Sequence, residues 1–325
     1  MSQRSMKRAL LLVSCAASAL SAQQASAQAP TTQPAQVAAA ATPAPLTEDI
    51  IIFGRAERQI GVAAASSEGA VGGADLSVRP ILRVAELLEV VPGLIAGQNS
   101  GSGKANQYFL RGINLDHGTD FTTYFDDVPL NFRSHGHGQG YLDVNGIIPE
   151  TVTNIDYRKG PYRADFGDFA LAGAAILTTV DKYDAPFALA EYGAYGWRRF
   201  VAGGSTDIGG GTFTLVGQWK GYDGPWEVPE ELVHFSGYGK YTHETSLDLL
   251  EASLSGYSAT WRPTEQIPER AIGHVFSEPG LPTVDCKDEF CAGDPTASGL
   301  TTRFVGSARL TGEDWHANIY SQFYN

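Results

Sequence analysis

Val84-Ala85-Glu86-Leu87-Leu88-Glu89-Val90-Val91-Pro92-Gly93-Leu94 opens the stretch that decides the fold, Val84 to Val180. Its apolar positions recur at helical spacing, and Pro-Gly ends the pattern, so a short amphipathic helix is predicted. Gln107-Tyr108-Phe109-Leu110-Arg111-Gly112-Ile113 and Thr122-Thr123-Tyr124-Phe125-Asp126-Asp127-Val128-Pro129-Leu130 follow as strand-like runs. Ile148-Pro149-Glu150, Ile155-Asp156-Tyr157-Arg158-Lys159-Gly160-Pro161 and Ala172-Gly173-Ala174-Ala175-Ile176 complete it. Strands alternating with short helices predict a small α/β unit.

Gly97–Lys104 invites comparison with a phosphate loop, but the spacing fails. Gly97 stands one residue too far from Gly103, and Ala105 replaces the Ser/Thr that holds magnesium. The segment reads as a flexible apical or inter-strand loop. No G-x-S-x-G elbow occurs and no catalytic triad assembles, so an enzyme is not expected. The formal charge of −13 without a basic run argues against nucleic-acid binding.

Beyond Val180 about seven segments alternate apolar and polar residues. In Thr212–Tyr222, Phe213, Leu215, Gly217 and Trp219 oppose Thr212, Thr214, Gln218 and Lys220. In Thr301–Thr311, Phe304, Gly306, Ala308 and Leu310 oppose Arg303, Ser307 and Arg309. In Asp314–Tyr324, Trp315, Ala317, Ile319 and Phe323 oppose His316, Asn318, Tyr320 and Gln322. A soluble β-sandwich alternates in the same way, but the connections argue for a barrel. Short turns at Asp207–Gly211, His243–Ser246 and Thr311–Glu313 interleave with long loops at Tyr222–His234 and Arg262–Ser298. Both long loops are acidic, which suits a solvated surface or a mouth that attracts cations.

Upstream, residues 1–27 read as a secretory signal: Arg4, Lys7 and Arg8, the apolar Ala9–Leu20, then Ala25-Ser26-Ala27, with Ala22 an alternative end. No later run reaches the roughly 20 apolar residues of a membrane-spanning helix. An exported membrane protein without one must span by a β-barrel. Residues 28–47, rich in Ala, Pro, Thr and Gln, read as a flexible linker. Cys286 and Cys291 read as one small disulfide, with a zinc pair as the other reading.

These motifs, in this order and spacing, resemble the plug domain of TonB-dependent outer-membrane receptors from about Asp49 to Val180. The resemblance implies an α/β plug over 56–183, followed over 184–325 by antiparallel transmembrane β-barrel strands of an incomplete barrel. It gives residues 48–55 a role as TonB box, with Asp49, Ile50, Ile51, Ile52 and Phe53 pairing with the periplasmic protein TonB by β-addition. Phe53 stands where a small polar residue is commoner. It also implies that Arg111 and Arg158 lock the plug by pairing with barrel carboxylates. Asp126-Asp127-Val128-Pro129 departs from the family's usual Asp-Gly-Val-Pro turn.

His117, His135 and His137 lie among Asp116, Asp120, Asp126 and Asp127, and are the expected ligand-facing residues. His135-Gly136-His137 places both rings on one face if extended, as a metal site needs, though loop histidines also simply bond to carbonyls. The expected localisation is the outer membrane of a Gram-negative bacterium, with outer-membrane lipid, TonB and an extracellular metal chelate as partners and no cofactor. Seven strands against the roughly 22 of plugged transporters lead to the expectation of an N-terminal fragment. The rival expectation is a soluble or periplasmic binding or signalling module with a plug fold and no transport.

Overall fold

The computed structural model describes residues 62–245, 248–277 and 279–325. The signal, the linker and the run containing Asp49–Phe53 lie outside the described residues.

The plug sheet is built from β1 (Val62–Ala65), β2 (Glu68–Gly72), β3 (Phe121–Phe125), β4 (Val128–Pro129), β5 (Val152–Lys159) and β6 (Gly173–Thr179). Their spatial order is β1-β2-β5-β6-β3-β4, antiparallel except where β6 runs parallel to β3. β6 reads Gly-Ala-Ala-Ile-Leu-Thr-Thr because it is central and crowded. A Cβ on Gly173 would lie 2.5 Å from the Arg158 carbonyl oxygen. The Val84–Val90 segment is a 3-10 helix, burying Val84, Ala85, Leu87, Leu88 and Val90 in the plug core. Gly93, at φ +87°, turns the chain out of it into the short strand Leu94–Gly97.

Seven antiparallel strands then run neighbour to neighbour in chain order: β7 (Phe187–Tyr192), β8 (Arg198–Ile208), β9 (Gly211–Tyr222), β10 (Leu232–Glu244), β11 (Leu249–Trp261), β12 (Gly299–Thr311) and β13 (His316–Tyr324). They form an open wall, not a closed barrel. Because side chains alternate with period two, one face is apolar and exposed: Leu215, Phe235, Leu254, Phe304, Ile319 and Phe323. The other face carries Arg199, Gln218, Lys220, Lys240, Glu251 and Arg303, all buried. The expected faces of the Thr212–Tyr222 and Thr301–Thr311 segments agree with this division. Short turns gather at the end holding Gly209-Gly210 and the Thr311–His316 connection, long loops at the other. The longer loop holds a hairpin, His274–Phe276 with Val284–Cys286, and a disulfide joins Cys286 to Cys291. Ala271, Cys286 and Cys291 form its own small core, so this loop is more structured than its polar sequence suggests.

Candidate functional site

The plug and the inner face of the wall meet through buried polar contacts, and the wall supplies the cations. Arg199 donates from Nη1 and Nη2 to the two carboxylate oxygens of plug Glu150, at 2.7 and 2.6 Å. It is also held by Glu191 at 3.0 Å and by Gln218 at 2.7 Å. Arg303 donates to the main-chain oxygens of Asp143 (2.7 Å) and Leu130 (3.0 Å), with its guanidinium 4.6 Å from the Phe132 ring centroid. Tyr257 donates to the Asp143 carboxylate. Lys240 reaches Asp181, just past β6, at 2.6 Å. Arg199 and Lys240 thus meet carboxylates, whereas Arg303 is held by carbonyl oxygens, as burial of these groups demands.

The Asp126-Asp127 turn joins this interface. Both residues are left-handed, at φ +47° and +64°, as a two-residue turn between paired strands requires. Asp126 accepts from the Thr179 amide at 2.9 Å and from its hydroxyl. Asp127 pairs with Arg309 on β12, which also holds Glu251. A carboxylate where glycine is usual therefore carries a strained backbone and gains a contact to the wall.

Arg111 and Arg158 are placed differently from that expectation. Arg158 pairs with Glu68 of the plug itself at 3.1 Å. Arg111 is exposed at φ +53°, its amide bonded to the Gly93 carbonyl. Among the described residues neither meets a wall carboxylate. The Gly97–Lys104 loop, expected to be flexible, is anchored: Ser100 donates to Glu265 at 2.6 Å, and the Ser102 amide to Glu230 at 2.8 Å. Trp261 lies flat over Gly103, where a Cβ would come within 2.0 Å of the indole.

At the long-loop end of the plug the histidines separate. His117 is buried, and its Nδ1 bonds to the Asn106 carbonyl at 2.9 Å. His137 stands beside it, ring centroids 4.4 Å apart and near perpendicular, with Asp116 close to both. His135, expected to pair with His137 as a ligand, instead stacks on Tyr141 at 3.9 Å. Its Nδ1 accepts from the His137 amide, which turns the two rings apart. Burial, followed by the nearby His137, holds His117 below the usual imidazole range, so its ring is neutral near pH 7. Burial pushes the Tyr141 phenol up to about 12, aided by Asp143.

Beside this cluster a cavity of about 1240 Å³ opens between the plug and the long loops. Tyr192, Trp197, Tyr222, Trp226 and Phe290 give it an aromatic lining, and Glu86, Glu191, Glu230, Glu265 and Glu269 outnumber Arg83. Asn106, which holds His117, also donates to Gln98 on the cavity rim at 3.0 Å.

The arrangement defines the class: a plug seated against the polar inner face of a β-wall whose outer face is apolar. Residues 62–174 match the family model described as TonB-dependent Receptor Plug Domain. Among solved structures it is similar to the ferric citrate transporter FecA in the unliganded form: 14% identity, TM-score 0.61, covering 79% of this chain and 39% of that one. It is also similar to the copper transporter OprC: 15%, 0.58, 82% and 37%. The third is the ferric yersiniabactin uptake receptor FyuA from Yersinia pestis: 18%, 0.55, 79% and 40%. The chain thus spans about two fifths of the length of these structures. At such identities the likeness is one of fold.

Glu150, Asp143, Arg199 and Lys240 escaped the reading of the sequence as interface residues. The available signal was charge on the inner side of alternating strands, where Lys220, Arg303 and Arg309 were correctly placed.

Proposed function

We propose that the chain supplies the plug and opening barrel strands of a TonB-dependent outer-membrane receptor. It captures a scarce extracellular ligand, a ferric siderophore or another metal chelate, at the long-loop face. Energy delivered through Asp49–Phe53 to the plug then drives uptake, and no bond is made or broken. The observation that carries this reading is the wall: an apolar outer row backed by an inner row of buried or half-buried charges, of which Arg199, Lys240 and Arg309 pair with carboxylates at Glu150, Asp181 and Asp127. A soluble binding module has no use for the exposed row. A role for Arg111 and Arg158 as locks belongs to the same proposal, with partners on strands other than the seven described here.

The test is membrane topology in the source cell. Ser298→Cys, beside the long loop, is expected to react with a membrane-impermeant maleimide in intact cells. Glu313→Cys, in the short turn, is expected to react only after permeabilisation, and both proteins should fractionate with outer membranes. Recovery in the soluble fraction, or equal labelling of both positions, would overturn the reading.

A further inference from the structure

The plug's long-loop face carries a side-chain cluster that the plug–wall ties leave unused. Nε2 of His117 lies 3.9 Å from Oδ1 of Asp116, and Nε2 of His137 lies 3.8 Å from the same oxygen. One ligand atom from each residue falls within 4.8 Å of the others. We propose that Asp116, His117 and His137 bind a borderline divalent cation, of the Zn²⁺ or Cu²⁺ kind, directly on the plug.

Three observations support the assignment. The first is the fixed tautomer of His117. The Asn106 carbonyl can only accept, so Nδ1 carries the proton and Nε2 presents a lone pair. That lone pair lies 3.9 Å from the Asp116 carboxylate, with the His137 imidazole beside it, so three groups able to donate to a cation converge. The hydrogen bond from a ligand histidine to a backbone carbonyl is also the arrangement that orients imidazoles in metal sites.

The second is rigidity. The Asp116 carbonyl accepts from the Tyr108 amide at 2.8 Å, and the His117 carbonyl from the Leu142 amide at 2.7 Å. The Asn114 side chain accepts from the Asp116 amide at 2.8 Å, holding that residue at φ +49°. His137 is positioned by its amide bond to His135, whose ring is stacked on Tyr141.

The third is dimension and donor type. Bonds of about 2.0–2.1 Å in a tetrahedron set ligand atoms roughly 3.3 Å apart. Each imidazole must therefore approach the Asp116 oxygen by about half an ångström, and the two imidazole nitrogens must close from within 4.8 Å, by up to about 1.5 Å, movements open to the exposed Asp116 and His137 side chains. Two imidazoles and one carboxylate suit zinc and copper better than calcium or magnesium, which take all-oxygen sets. Three protein ligands leave a fourth position open, for water or for a donor atom of a chelator.

The assignment deepens the uptake reading and rests on it only for the consequence that the ion is cargo. The experiment is isothermal titration of ZnCl₂ and CuSO₄ into the full-length receptor, purified in detergent, at pH 7.5. One of the two ions is expected to bind saturably, one per protein. His137→Ala and Asp116→Asn should each weaken it at least tenfold. Both residues are exposed, and Asn tolerates a left-handed backbone, so both variants keep the fold. His316→Ala, an exposed histidine on β13 away from the cluster, should change nothing. X-ray absorption of the loaded protein should show two imidazoles. Absence of saturable binding, or His137→Ala binding like the parent, overturns the site. A receptor lacking Asp49–Phe53 separates the two claims. It should bind the ion as the parent does and lose uptake; uptake that persists would sink the transport reading and leave the site standing.

Discussion

Replacing Glu150 with Gln removes one charge from the most completely bonded plug–wall tie and leaves its shape. Arg199 is 5% exposed, and Glu150 accepts two of its hydrogen bonds in bidentate geometry. Breaking a fully buried pair from one side costs about 3–5 kcal/mol. Two features lower that figure. Glu191 and Gln218 still bond Arg199, so the guanidinium is not orphaned. The Glu150 side chain is itself 26% exposed, which screens it. The expected cost is therefore about 2 kcal/mol, roughly thirtyfold in the opening equilibrium of the surrounding segment. Native-state hydrogen exchange of the full-length receptor in detergent reads this directly on peptides spanning residues 147–160. A double-mutant cycle with Arg199→Met should give a coupling of about 2 kcal/mol between the two sites. Exchange unchanged in Glu150→Gln, or a coupling below about 0.5 kcal/mol, would mean that the pair behaves as a surface ion pair. The plug would then not be held to the wall by these charges.

Other consequences follow from the same contacts. Gly103→Ala drives a methyl into the Trp261 indole and should cost about 1–3 kcal/mol, seen as a lower denaturation midpoint; an unchanged midpoint would show that the loop is not anchored there. Leu254→Arg, on the apolar outer row, should cost about 2–4 kcal/mol for folding into lipid vesicles, whereas an exposed position on a soluble sheet would cost almost nothing. His117 has a depressed folded-state pKa, so its neutral form is favoured on folding. As pH falls through the unfolded value of about 6.5 the denatured chain takes up the proton first, and plug stability should fall. His117→Gln should flatten that dependence, and an undiminished slope would place its origin elsewhere.

The wall was legible because its signal is local. Alternation along each strand separates Phe304 and Leu310 from Arg303 and Arg309 without knowledge of any partner. The partners were not legible, because they are distant in sequence: Arg199 finds Glu150 49 residues away, and Arg309 finds Asp127 182 residues away. A locking role was therefore assigned to plug arginines, while the interface seen here runs from wall arginines to plug carboxylates and carbonyls. The pairing of His135 with His137 was not legible for a different reason. Same-face placement of His135 and His137 assumes an extended segment, but this one is a glycine-rich loop in which His135 caps the His137 amide. His117 enters from another part of the chain, and tertiary structure alone pairs it with His137. Gly97–Lys104 looked mobile by composition. Gly101 and Gly103 are explained instead by Trp261, which crowds both positions.

The central claim is that a partner in the periplasm pulls on this plug through Asp49–Phe53. Its most direct test places a photo-crosslinking amino acid at Ile51 of the receptor in the source cell. Irradiation is predicted to give an adduct containing TonB. A receptor present in the outer membrane at parental level that yields no such adduct would contradict the account.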